Sequence, residues 1–429
     1  MSNNVFVGAA ICRPWYILLY AIVKIGRGKH TRNYSLRRLF NIMDYSNILT
    51  RNIQALPPSG IRKFFSIAAE YDDVISLSIG EPDFKTPWKI RQEGVKNLQK
   101  GHTWYTANSG LLKLREEISS YLSRRYSLKY DCEEEILITV GGSEGIDICI
   151  RSMIEPGDEV ILPEPCFVAY SPIIKLSGGT VVPIETKAAN NFKLTPEQLA
   201  EKITNKTKML VLPYPCNPTG GIMRKDDLEA IAKLLRGTNI MVLSDEIYSE
   251  LTYDGKHVSI ASLDGMRERC VVINGFSKAY AMTGWRLGFT AGPVEIIEQM
   301  AKIHQYAIMC SPTTSQHAAY YALKSCDLEI KEMVEEYDMR RRFIVKELND
   351  MNLACFNPEG AFYAFPDITS AGLNSEAFCE KLLETKKVAV VPGTAFGTSG
   401  EGFVRISYCY SLEHISEALK RIKEFLNEI

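Results

Sequence analysis

Between residues 136 and 291 the chain repeats one pattern: a short apolar, β-branched run, a break of small or polar residues, and in several cases a segment with helical spacing. Seven runs fit buried strands: Ile136–Val140, Glu159–Leu162, Thr180–Ile184, Met209–Leu212, Ile240–Leu243, Cys270–Ile273 and Leu287–Ala291. Runs that are apolar throughout, rather than alternating, suit strands covered on both faces. Strands that alternate with helices predict an α/β fold with a mainly parallel sheet. Such a sheet binds ligands beyond the carboxyl ends of its strands. The residues after each run are therefore where chemistry is expected.

Several of those breaks carry polar residues of a specific kind. Cys270–Ile273 leads into Asn274-Gly-Phe-Ser-Lys278. Burial at a strand end lowers a lysine's pKa, and a free amine can form a Schiff base with a carbonyl. On spacing alone a surface lysine fits as well. Gly141-Gly142-Ser143 follows the first run and opens a helix, a geometry that leaves backbone N–H groups free for a phosphate. It is neither GxGxxG nor a Walker loop, which disfavours a nucleotide. Asp245 follows Met241-Val-Leu-Ser244, and an acid buried there needs a cation, unless it caps a helix. Pro213-Tyr-Pro-Cys-Asn-Pro-Thr-Gly220 demands an unusual backbone path, with Asn217-Pro218 a candidate cis bond. Arg405 stands alone in an apolar strand and needs an anionic partner, in the protein or in a ligand.

These motifs, from about Leu56 to the C-terminus, resemble the class I aminotransferases, in the branch of bacterial and archaeal aspartate and aromatic enzymes. The stretch Ser277-Lys-Ala-Tyr-Ala-Met-Thr-Gly-Trp-Arg286-Leu-Gly288 resembles the family's lysine signature, and "SLSIGEPDF.TP" around Gly80 its N-terminal one. The resemblance implies pyridoxal 5'-phosphate (PLP) as cofactor, attached to Lys278. It implies fold type I, with a seven-stranded sheet in a large domain and a small α/β domain built from both chain ends. It assigns Gly142, Ser143, Ser277 and Arg286 to the phosphate. Phe167 stacks on the pyridine ring, Asp245 faces the ring nitrogen, and Asn217 and Tyr248 reach the phenolic oxygen. Arg405, with Asn217 and the backbone near Gly80, takes the substrate α-carboxylate. Tyr105 reaches the phosphate of a partner subunit, which implies a homodimer. One departure is Gly275, where some relatives place a phosphate-binding serine.

The resemblance also bears on substrate. No arginine occurs between Arg286 and Arg340, the window where aspartate aminotransferases place a distal-carboxylate arginine, and the lysine some relatives carry at position 143 is absent. An aromatic or long aliphatic side chain is expected, with glutamate and 2-oxoglutarate as partner pair. "SDEIYSELTYD" and "HQY" also resemble an N-acetyl-diaminopimelate aminotransferase. An aspartate aminotransferase, a PLP-dependent C–S lyase on the same fold and a PLP-sensing regulator complete the alternatives. The regulator lacks room for an added DNA-binding domain.

Composition sets the remaining bounds. The net charge of −1 gives no argument for nucleic acid or acidic membranes. The 11 cysteines show no CxxC and no metal-ligand spacing, which fits a reducing cytoplasm and no metal site. Residues 1–42 stand apart, with seven Lys/Arg and no acid. Without those seven, 43 basic residues face 51 acidic ones, a net charge of −8. The apolar stretch Val5–Val23 is broken by Arg13-Pro14, unlike a membrane span. Translation from an upstream start with Met43 as initiator, a transit peptide and a functional arm are the three readings, the first favoured. The expected division is a leader 1–42, a large domain 88–325, and a small domain from 43–87 and 326–429. Within it, Ile61–Glu70 has helical spacing, Val74–Ile79 reads as a strand, His304–Leu323 as one helix, and Met339-Arg-Arg-Arg342 as a solvated helix face.

Overall fold

The computed structural model describes Met43, residues 45–58, Gly60 and residues 73–429. The expected leader and the helix at Ile61–Glu70 lie outside the described residues. The chain divides after Pro57. In the first unit the described structure is a 3-10 turn, Tyr45–Asn47, and a short helix, Arg51–Ala55, with no buried residue.

In the second unit the order of strands is β1 Ile75–Ser76, β2 Ile136–Thr139, β3 Glu159–Glu164, β4 Thr180–Glu185, β5 Thr207–Leu212 and β6 Met241–Asp245. Then come β7 Cys270–Gly275, β8 Gly288–Ala291, β9 Tyr363–Ala364, β10 Val388–Ala389, β11 Val391–Pro392 and β12 Val404–Ser407. Seven of them form one sheet in the order β2-β8-β7-β6-β5-β3-β4. All its pairings are parallel except those of β8, which runs against both neighbours. The expected mainly parallel sheet is therefore present, and each of its strands coincides with a predicted run. Ile138, Leu210 and Val242 pack in one apolar cluster, while Leu137, Met209 and Leu243 pack in another. Alternate residues thus fill two opposite faces, which is why these runs show no polar phase.

A parallel pair, β1-β10, and an antiparallel ladder, β11-β12-β9, lie in the remaining sequence. Leu77, Tyr363 and Ile406 share a core cluster with the helices Asp327–Asp350 and Leu412–Leu426. Of Val74–Ile79 only Ile75–Ser76 is strand. The predicted helix His304–Leu323 is two: Val294–Ala307 and Thr313–Ser325, parted at Pro312, which cannot continue a helix from its own N–H. The reading of Met339–Arg342 as a solvated face is corrected as well. Arg340 and Arg341 are buried, while Met339 and Arg342 are exposed. Arg340 donates to both oxygens of Asp83, at 2.9 Å each.

Candidate active site

At the carboxyl ends of the parallel strands lies a cavity of about 470 Å³. Every predicted site residue lines it except Tyr105. Residues 79–81 cover one side of it, and Tyr363 and Arg405 another.

One end gathers positive potential. Gly141 takes φ 77°, a conformation that favours glycine, and turns the chain from β2 into the helix Gly142–Met153. The free N–H groups of that helix open beside Gly142 and Ser143. Because β8 runs antiparallel, it begins where its neighbours end: Gly288 stands opposite both Thr139 and Gly275. That register brings Arg286 to the same edge. Its guanidinium Nη2 lies 3.1 Å from where a Cβ on Gly141 would stand. A Cβ on Gly288 would fall 2.7–2.8 Å from the Gly141–Gly142 peptide, so this crossing requires glycine. Ser277, buried at the end of the β7 loop, lines the same cavity. A helix N-terminus, a guanidinium and two hydroxyls make an anion site.

At the centre, Asp245 ends β6 and is 6% exposed. It accepts hydrogen bonds from Tyr170 Oη at 2.6 Å and from the Ile247 N–H at 3.1 Å. Burial pushes its carboxyl up to about 6, against the pull of those two donors. It forms no ion pair among the described residues. Phe167 meets Tyr170 edge to face at 5.7 Å and lines the cavity beside it. Tyr248, on the turn after β6, shares a hydrogen bond of 2.8 Å with Tyr363 Oη.

Lys278 reaches in from the loop after β7. Its Nζ donates to the Gly80 carbonyl at 2.7 Å and lies 5.8 Å from the Tyr248 ring centre and 5.6 Å from that of Phe362. Burial brings its amine down to about 8, and the guanidinium groups of Arg405 and Arg286 act in the same direction. Gly80 has no room for a side chain, since a Cβ there would overlap Tyr363 Oη.

Arg405, on β12, is 3% exposed. Nη1 donates to Asn217 Oδ1 at 2.9 Å and Nη2 to the Ser78 carbonyl at 2.5 Å, while buried Nε has no partner. No acid of the described residues pairs with it. Its guanidinium lies over the rings of Tyr363 and Phe396, at 4.5 and 4.8 Å. The anionic partner that the sequence called for, in the protein or in a ligand, is thus not supplied by the described residues. The Asn217-Pro218 bond is cis, as expected, and so are Glu164-Pro165 and Tyr214-Pro215.

Tyr105 is 76% exposed and stands away from this cavity. It lies with exposed Trp104 on a loop tied to the end of the helix Val294–Ala307, where Tyr306 and Met309 are also exposed, by Asn108 Nδ2 donating to Met309 O and Thr313 Oγ1 to Trp104 O. The sequence reading missed Tyr170, Tyr363 and Glu81. Only Tyr170 left a signal, a polar-tipped residue three positions after Phe167. No group of three or more His, Cys, Asp or Glu able to hold a metal occurs among the described residues. Nor is any of their helices long and apolar enough to cross a membrane.

Over residues 72–422 the chain matches the family model described as aminotransferase class I and II. It is 50% identical to a putative aminotransferase of Bacillus subtilis, across 89% of this chain and 99% of that protein. It is 45% identical to an aspartate aminotransferase of Pyrococcus abyssi, across 89% and 98%. The crystal structure of an aromatic aminotransferase from Pyrococcus horikoshii is 44% identical and superposes with a TM-score of 0.82, across 86% and 99%.

Proposed function

This chain belongs to the class I and II aminotransferases, whose class I members use pyridoxal 5'-phosphate, and we propose that it exchanges the amino group of an aromatic or other non-dicarboxylate L-amino acid with a 2-oxo acid. Glutamate and 2-oxoglutarate are the partner pair in this reading. The cavity fits the cofactor on two counts. Asp245 is a buried carboxyl without an ion-pair partner among the described residues, as a protonated ring nitrogen requires. The Gly142–Ser143 helix start, Ser277 and Arg286 supply donors suited to a phosphate. Phe167 offers a ring face, and Asn217 and Tyr248 offer donors to the phenolic oxygen.

When bound, PLP accepts the electron pair of the substrate Cα–H bond. The chain's residues do the rest. Lys278 would hold the cofactor, and its freed amine would be the base placed to move the Cα proton. An amine held near 8 keeps a usable unprotonated fraction at neutral pH. Asp245 keeps the ring nitrogen charged. Arg405 receives the α-carboxylate, with Asn217 and the Ser78 carbonyl fixing its plane.

The observation that carries the substrate class is a count of cations. The cavity's cations among the described residues are Lys278, Arg286 and Arg405, and each already has a role. None is left for a second carboxylate, while Glu81 adds a negative group to the same wall. The test mixes the PLP enzyme with single amino acids and follows loss of the lysine-bound absorbance. Fast conversion with Tyr and Phe and slow conversion with Asp is expected. Asp reacting as fast as Tyr would move the assignment to dicarboxylates, and reaction only with Glu and a diaminopimelate derivative would move it to that pathway.

The same proposal includes a homodimer formed through the exposed Trp104, Tyr105, Tyr306 and Met309, since an exposed apolar patch marks an interface. Sedimentation is expected to give a dimer for the holoenzyme, and Tyr105→Phe to weaken retention of the cofactor without making monomers. A monomeric, fully loaded enzyme would remove the role of Tyr105. The division into domains 88–325 and 43–87 with 326–429 belongs to this reading, as does a reducing cytoplasmic setting, which the free cysteines of the described residues support.

A further inference from the structure

Residues 80–87 form a strap between the cavity and the long helix Asp327–Asp350. The strap supplies the Gly80 carbonyl that receives the Lys278 ammonium. Its far end is tied to the lysine loop, because Thr86 Oγ1 donates to the Ala281 carbonyl at 2.6 Å and accepts from Trp285 Nε1 at 3.1 Å. Glu81 accepts from Thr283 Oγ1. The middle, Asp83 and Phe84, is held by a different element. Arg340 grips both oxygens of Asp83 at 2.9 Å and is itself oriented by Glu336, which accepts from Nε at 3.0 Å. The same guanidinium lies 5.2 Å over the Phe84 ring, and Phe84 meets Tyr337 edge to face at 5.3 Å.

Arg340 is 5% exposed and does not line the cavity. It is a two-oxygen clamp on a segment whose backbone touches the reacting lysine. We propose that Arg340 is a positioning residue for Lys278, acting through Asp83 to hold residues 80–87 so that the Gly80 carbonyl stays on Nζ. Without the clamp the strap lifts between Gly80 and Thr86. Water then reaches the lysine nitrogen in place of the Gly80 carbonyl, which changes both its burial and its hydrogen bonding.

The proposal rests on Lys278 as the cofactor lysine, yet its test is separate from turnover. Arg340→Met, Arg340→Lys and, as a control on the same helix, exposed Arg342→Met are prepared as full-chain holoenzymes. Two readouts are taken: deuterium exchange of residues 80–87, and the pH midpoint of the visible absorbance, which reports protonation of the Lys278 nitrogen. Arg340→Met is expected to exchange in this segment roughly tenfold faster, with the midpoint displaced from the wild-type value by on the order of one pH unit. Arg340→Lys is expected to recover part of both, and Arg342→Met to match the wild type. If Arg340→Met unfolds, Asp83→Asn carries the same expectations from the other side of the pair. Wild-type exchange and an unshifted midpoint in a folded variant would overturn the proposal, even with a lower melting temperature, because that pattern describes a structural arginine. Loss of the lysine-bound absorbance in every protein, wild type included, would instead strike the assignment of Lys278.

Discussion

Lys278→Ala is expected to lose transamination by at least about 10⁴-fold, the upper range for removal of a general acid–base group, and to lose the lysine-bound absorbance with it. The size follows from two roles falling on one nitrogen, the anchor of the cofactor and the carrier of the Cα proton. Glu81, on the same cavity wall, is engaged by Thr283 Oγ1. Tyr248 and Tyr363 line the same cavity, and burial raises both, Tyr363 to about 12, so neither is a ready base near neutral pH. The fold has little to lose. Lys278 Nζ has one hydrogen bond, to Gly80, and it keeps a cation in a place where charge is disfavoured. An unchanged melting curve is therefore expected beside the lost activity. Lys278→Arg separates charge from chemistry: it keeps a cation in the cavity and is expected to be as inactive as the alanine variant. Turnover at the wild-type rate in Lys278→Ala would end the mechanism given above.

Lys278, Asp245 and Arg405 stood out as charges at the end of or inside apolar strands, but on those surroundings alone a surface lysine, a helix cap and a structural ion pair fitted as well, and only the family resemblance gave them roles. The sheet was legible for the complementary reason. Its strands are buried on both faces, so their runs carry no competing polar phase. The residues that escaped depend on contacts far apart in sequence. Tyr170 matters through Asp245, 75 positions on, and Tyr363 through Tyr248 and Gly80. Apart from Tyr170's place three positions after Phe167, nothing local marks them. Arg340 escaped because a run of three arginines resembles a solvated face. Its phase tells otherwise: Ile330, Met333, Tyr337, Ile344 and Leu348 are the buried positions of that helix, and Arg340 falls on the same stripe between Tyr337 and Ile344. A charge in phase with an apolar stripe is the signal to look for. The break at Pro312 is equally local: a proline cannot continue a helix from its own N–H, and the apolar run across it hides two helices.

Arg405→Leu is expected to lower kcat/KM by about 10²–10³-fold, the equivalent of breaking one buried charge pair. The distribution of that loss identifies what the guanidinium binds. Every amino acid carries the α-carboxylate, so the loss should be the same for Tyr, Phe, Glu and Asp, and their relative rates should keep the wild-type order. A guanidinium that instead read the side chain would give a loss confined to some of them. Arg405→Lys tests the geometry. Nη1 and Nη2 are both committed to Asn217 and Ser78 in a fixed plane, and a lysine ammonium cannot reproduce that fork, so the conservative change is expected to restore only part of the activity. Stability should move the other way. With Nε unpartnered and no acid of the described residues beside it, Arg405 is a buried charge that the unliganded protein carries at a cost. Its removal is expected to leave the melting temperature level or raised, while a substrate-like carboxylate that stabilises the wild type no longer stabilises the variant. A lower melting temperature with wild-type KM values would make Arg405 a packing residue and leave the α-carboxylate without its clamp.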